Sequence, residues 1–206
     1  MSLIIAGDIG GTKTTLAMYE FSDNSIHCIK QQTFVSHYFN QFNDILLKFI
    51  DKQVNSEIDI LSLSVAGPVI DNECQTTNLP WHISAGEIKK HVNISHVILF
   101  NDIEASGYGL LIAEASDLIQ INPLAKTQTG NKSIISIGTG LGEAFMFWDG
   151  TVHIPCGTEG GHTDFAPLIN DDLPLWQYFK NAFPDHLSYE RLLSGPGISL
   201  IYDYLC

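Results

Sequence analysis

With 206 residues the chain is long enough for one large domain or two small ones, and a hydrophobic content of 45% supports a real core. A formal net charge of −13 argues against nucleic acid as a partner; an anionic nucleotide would have to be held by backbone N–H groups and a divalent cation. No apolar run reaches the ~18 residues of a membrane span, no basic leader precedes the first strand, and Cys28, Cys74, Cys156 and Cys206 are scattered without a C-x-x-C pair, which together predict reduced thiols, a cytoplasmic location and no membrane partner.

The first elements are β-rich. "LIIAGDIG" and "TTLAMYEF" flank a glycine loop and read as a hairpin, and "SIHCIKQQTF" alternates as a third strand. "FNQFNDILLKFIDKQ" places Phe42, Ile45, Leu46, Phe49 and Ile50 at helical spacing. "IDILSLSVAG" is a buried strand ending in the Gly67-Pro68 turn. "SAGEIKKHV" opens with Ser84 and Glu87 as a capping box. "HVILFND" is another buried strand, followed by the helix "IEASGYGLLIAEA".

The pattern then restarts. "KSIISIGTGLG" runs from an apolar strand into a second glycine–threonine loop, "EAFMFWDG" leaves it, and Asp149-Gly150 signals a hairpin into "TVHIP". "LPLWQYFKNAF" and "SYERLLSGPGISLIYDYL" read as mostly helical.

The first loop, "GDIGGTKTT", is neither of two familiar phosphate-binding motifs. A Walker A loop would need glycine at Thr12, and a dinucleotide loop would need it at Ile9. Its partner, "GTGLG", lies about 130 positions further on in matching context, which marks a duplicated hairpin. Two such hairpins can grip one polyphosphate through backbone N–H groups. Ordinary tight turns explain either loop alone; the repetition favours phosphate.

In this order, "GDIGGTKTTLA", "VAGPV" with "TNLPW", "LFNDIEA", "GTGLG", "GTEGGHTDFAP" and "YERLLSGPG" make the chain resemble the bacterial glucokinases of the hexokinase/actin-like ATPase superfamily, from Ile4 to the last residue. The resemblance implies an α/β protein of two domains with the actin-like, ribonuclease H-like fold and a cleft between them. Residues 1–110 would form the small domain and residues 111–206 the first part of the larger one. It implies phosphorylation of glucose by ATP with Mg2+. Asp102 would be the base for the sugar 6-hydroxyl, and Asn78, Asn101, Asp102, Glu159, His162 and Glu190 the sugar contacts. Gly10, Gly11, Thr12, Lys13, Gly138, Thr139 and Gly140 would hold the nucleotide, with Asp8 near its Mg2+. A homodimer would suit the family.

The residue types make chemical sense unaided. Hexose hydroxyls are each donor and acceptor, and Asn, Asp, Glu and His side chains read both roles. A carboxylate at a strand's C-terminal end points into the usual α/β ligand crevice and can take a hydroxyl proton. Blander roles compete one by one: Asp102 as a helix N-cap, His162 as a loop histidine, Glu190 as a solvent-facing acid, Asn78 as a turn residue. Trp81 reads as packing, and Cys156 as a buried or half-exposed structural thiol. His153, Cys156 and His162 lack a fourth ligand for zinc.

Two features depart from the family's pattern. Glu143 puts an acid after "GTGLG" where a small or apolar residue is expected. The chain also stops at Cys206, where the family continues for roughly another half-chain. A second domain incomplete at its C-terminus, with apolar faces left uncovered, is the expectation. A related repressor/kinase sugar group is disfavoured, because "TDFAPLIND" after His162 lacks that group's cysteine motif. A non-catalytic sugar- or nucleotide-binding protein of the same fold is the alternative.

Overall fold

The computed structural model describes residues 2–23, 25–50, 57–126, 128–170 and 172–206, which divide into two compact units, Met1–Ala105 and Ser106–Cys206. The first unit opens with strands β1 (Ser2–Ile9), β2 (Lys13–Ser22) and β3 (Ser25–Val35), an antiparallel meander. Helix α1 (Phe42–Phe49) follows, and the 51–53 end of the expected helix lies outside the described residues. Then come β4 (Ile58–Val65), the short hairpin β5 (Glu73–Gln75) and β6 (His82–Ser84), helix α2 (Ala85–His91) and strand β7 (Ile94–Asn101). The main sheet has the order β3-β2-β1-β4-β7, with β4 parallel to both β1 and β7.

Alternation decides which face is buried. Ile5 and Ile9 of β1, Leu16 and Met18 of β2, and Leu61, Leu63 and Val65 of β4 form one core with Phe42, Ile45, Leu46 and Phe49 of α1. Gly7 is required in β1 because a Cβ there would come within 2.7 Å of both Leu16 and Leu63. Lys30 of β3 donates to the Phe49 carbonyl (2.7 Å), satisfying an orphan acceptor at the end of α1. Trp81 is packing, as expected: it is buried, and its Nε1 donates to the Phe39 carbonyl.

Two expectations need correction. Strand β7, the edge of the sheet, is buried on alternate residues rather than throughout, with His96 and Ile98 exposed, because only the face carrying Val97 and Leu99 packs on the core. Asn72, in the left-handed region (φ 61°), covers part of that edge: its amide donates to Val97 O and accepts from Leu99 N–H, each at 2.8 Å. At α2, one half of the capping box forms. Ser84 Oγ accepts from Glu87 N–H, but the Glu87 carboxylate lies 3.9 Å from Lys90 Nζ.

Helix α3 (Asp102–Leu111) spans the division between the units. The second unit then holds the antiparallel sheet β10-β9-β8, from β8 (Lys132–Ile137), β9 (Leu141–Trp148) and β10 (His153–Thr158). The Asp149-Gly150 turn closes as the sequence predicts: Asp149 Oδ1 accepts from Thr151 and Val152 N–H, and Gly150 takes φ +103°. Helices α4 (Asp172–Ala182), α5 (Tyr189–Leu192) and α6 (Gly195–Leu205) follow. They form a separate core around Phe179, Leu187 and Leu192. Cys156 is exposed, contrary to the expected buried or half-exposed role, because it lies on the open face of β10. Among the described residues no helix is long and apolar enough to cross a membrane.

Candidate active site

In the first unit the expected residues gather at the C-terminal ends of the parallel strands. Asp8 stands opposite Ser64 in register, and Ser64 Oγ lies 3.5 Å from its carboxylate. One strand over, Asn101 pairs with Val65. Gly10, Gly11 and Thr12 turn the chain into Lys13, the first residue of β2. The turn is closed by Gly10 N–H on Lys13 O (2.9 Å). Asn78 packs its side chain onto Gly11, where an added Cβ would lie 2.7 Å from the Asn78 Cβ.

This loop has an anchor that sequence reasoning missed. Ser36 is fully buried; its N–H donates to Thr12 O (3.0 Å), its hydroxyl donates to Gly10 O (2.8 Å), and the same hydroxyl meets Thr14 Oγ1 (3.1 Å). Nothing in "TFVSHY" marks it, because its role comes from the β2–β3 register, which brings Val35 opposite Lys13.

Asn101 and Asp102 share the start of α3. Asn101 Oδ1 accepts from Ile103 N–H (3.1 Å), and its Nδ2 donates to Gly67 O at the Gly67-Pro68 turn (3.0 Å). Asp102 Oδ1 also accepts from Ile103 N–H (2.9 Å). The capping duty expected of Asp102 is therefore shared with Asn101, whose amide reaches the helix from outside it.

In the second unit, Gly138, Thr139 and Gly140 form the tip of the β8–β9 hairpin. Gly138 N–H donates to Gly140 O (2.9 Å), and Gly195 N–H, at the start of α6, donates to Gly138 O (2.8 Å). Glu159 precedes a 3-10 turn, Gly160–His162, whose last residue is His162. Segment 163–165 is strapped to 187–189 by Phe165 N–H on Leu187 O (2.8 Å) and Tyr189 N–H on Thr163 O (3.0 Å), which brings Glu190 beside His162. His162 Nε2 lies 3.7 Å from Glu159 Oε2, and His162 Nδ1 lies 3.9 Å from Glu190 Oε1. Glu190 Oε2 accepts from Leu141 N–H at 3.0 Å. Of the three, Glu190 is the least exposed, so it is not the solvent-facing acid of the bland reading.

The departure at Glu143 also has a place. Its carboxylate lies against Gly160, which has room for it only because it lacks a side chain, and Gly161 presses onto the Leu141 carbonyl in the same way. The two glycines of "EGGH" thus serve the close approach of β9. His153, from the zinc cluster considered above, is engaged elsewhere: its Nε2 meets Gly130 O (2.9 Å) and its ring packs on Trp148.

Among the described residues, no protein acceptor lies on the N–H groups of Gly11, Thr12, Thr139 or Gly140. Each hairpin tip therefore offers unclaimed backbone donors, the chemistry that suits phosphate oxygens.

A family model described as Glucokinase matches residues 5–206. The chain belongs to the glucokinase family. It is 36% identical over 210 residues to a glucokinase of Nostoc punctiforme, a match covering 100% of this chain and 61% of that protein. The crystal structure of a glucokinase from an Antarctic psychrotroph has a TM-score of 0.83 at 26% identity, covering 98% of this chain and 64% of that one. A glucokinase from Balamuthia mandrillaris, crystallised in complex with glucose, shares the fold with a TM-score of 0.73 at 19% identity, over 99% of this chain and 62% of that one. The mixed α/β fold is that of glucokinases, and the chain spans about 60% of the length of the curated relatives it matches.

Proposed function

We propose that this chain carries sugar- and phosphate-binding machinery of a glucokinase, which transfers the γ-phosphoryl group of ATP to the 6-hydroxyl of glucose. The observation that carries the reading is the joining of a hydroxyl-reading cluster to a glycine loop. Glu159, His162 and Glu190 converge, and Glu190 is hydrogen-bonded to the loop at Leu141. A scaffold or a simple phosphate binder has no need of such a cluster beside its loop.

In this reading Asp102 takes the proton of the attacking hydroxyl, and Asn101 and Asn78 help to orient the sugar. Asn101 suits the task because both ends of its amide are fixed by backbone, so its orientation costs little entropy on binding. The N–H groups of Gly11, Thr12, Thr139 and Gly140 receive phosphate oxygens, and Lys13 adds positive charge at the first loop. Asp8 is the carboxylate nearest the place where a nucleotide-borne Mg2+ would sit. When bound, Mg2+ neutralises charge on the transferring phosphoryl group.

The reading extends to the architecture: two domains, 1–110 and 111–206, of the actin-like, ribonuclease H-like fold, the second being the first part of a larger α/β domain. The β3-β2-β1-β4-β7 order supports it, as do the apolar residues left exposed on the second sheet. A cytoplasmic location and a homodimer belong to the same proposal. The test is a coupled assay for glucose 6-phosphate with the full-length protein, glucose and Mg-ATP. Formation of product supports the reading; inactivity on every hexose tried, with glucose binding retained, would favour a sensor.

A further inference from the structure

We propose that Glu190, besides its part at the sugar, is the positioning residue of the second glycine loop; this rests on the kinase reading above. The two oxygens of its carboxylate face different partners. Oε2 accepts the Leu141 N–H at the exit of the loop (3.0 Å), and Oε1 faces the His162 imidazole (3.9 Å). The loop is shaped around this carboxylate: a Cβ on Gly140 would lie 2.5 Å from Oε2. Together with Gly195 N–H on Gly138 O, the contact fixes both ends of the turn and leaves Thr139 and Gly140 N–H at its tip for an anion.

The chemistry argues that this placement has a purpose. A carboxylate beside a loop that receives phosphate is repulsive. Its negative charge weakens nucleotide binding unless the hydrogen bond it makes holds the donors in place. A backbone N–H to carboxylate bond is of the stronger, charge-assisted kind. The first unit has a similar juxtaposition, with Asn78 packed on Gly11 of its loop. A sugar that orders the Glu190 carboxylate therefore orders the second loop, and by linkage a nucleotide on the loop favours the sugar.

The experiment uses the full-length protein and its Glu190→Gln and Glu190→Ala variants. Gln keeps one oxygen able to accept from Leu141 N–H and drops the charge; Ala removes the acceptor. Mg-ADP affinity, measured by calorimetry without sugar, should fall about tenfold in the Ala variant and stay within about threefold of wild type, or tighten, in the Gln variant. Equal affinities in Gln and Ala, whether kept or lost, would overturn the proposal. Amide exchange at Leu141, followed by NMR without ligand, reads the strut independently of both ligands. The wild type and Gln variant should protect this amide, and the Ala variant should exchange it at least about tenfold faster. An unprotected Leu141 amide in the wild type would overturn the proposal even if the Ala variant failed to fold. A Glu159→Gln control separates the two readings. It should weaken glucose binding and leave Mg-ADP unchanged; undiminished glucose affinity there would count against the sugar site and not against the strut.

Discussion

The two glycine loops are alike in sequence and differ in what supports them. The first sits on strands β1 and β2, whose inner-face residues Ile5, Ile9, Leu16 and Met18 are buried in the core of the first unit. Among the described residues, the largest fully buried side chains, Trp81, Phe42, Phe49, Ile5 and Leu63 among them, belong to the first unit with the exception of Phe179. The second sits on a three-stranded sheet with one open face. Ile135 and Ile137 of β8, Phe145 and Phe147 of β9 and Ile154 of β10 share that face by register and are 39–66% exposed, while the packed core of this unit gathers around Phe179, Leu187 and Leu192. The anchors differ accordingly. The first loop is held by a buried hydroxyl, Ser36, and the second by a carboxylate, Glu190, and by the N–H of Gly195. A fold can repeat a hairpin and hold each copy by different chemistry. In the proposal above, the copy held by an ionisable group, Glu190, is the one that would couple the two substrates.

This contrast can be broken by mutation. The largest effect is expected at Phe49, which is fully buried in the first core. Phe49→Ala should cost about 3–5 kcal/mol in urea unfolding, lost transfer energy plus the cavity left behind. A cost under about 1 kcal/mol would show that the first unit does not carry the stability assigned to it.

A smaller effect is expected at the β9–β10 turn. Hydrogen bonds from Val152 and Thr151 hold the Asp149 carboxyl below the usual carboxylate range. A depressed folded-state value means that the stabilisation is present above the unfolded value and is lost as pH falls through the folded one. Asp149→Ala should therefore lower the thermal midpoint slightly at neutral pH, and the gap from wild type should close only on the acid side of about pH 4. A gap that stayed constant down to pH 2 would remove the carboxylate from the account.

The smallest effect belongs to the open sheet face. Ile135→Thr keeps β-propensity and removes exposed apolar surface, so the stability of this 206-residue chain should change by no more than about 0.5 kcal/mol. A loss of several kcal/mol would show that the face is covered in solution.

Much of the fold was legible because its signals are local. The β-rich run "TTLAMYEF", the alternation of "SIHCIKQQTF", the helical spacing in α1 and the Asp149-Gly150 turn each specify their element without help from distant residues. What was not legible depends on register and on close approach. Ser36 finds Gly10 through strand pairing, Asn72 finds the edge of β7 through a left-handed turn, and the glycines of "EGGH" answer to Glu143 and Leu141 on another strand. The same limit applies at the site. The sequence, read beside its family, marked Asn101 and Glu190 only as expected sugar contacts and gave no sign that one caps α3 and the other holds Leu141.

The central claim is that the chain belongs to a machine that phosphorylates a hexose with Asp102 as its base. The most direct measurement is the coupled glucose 6-phosphate assay on the full-length Asp102→Asn variant, paired with glucose binding by calorimetry. Turnover should be abolished, while glucose affinity stays within about tenfold of wild type, because a base acts chiefly in the transition state. Turnover near wild type would contradict the account.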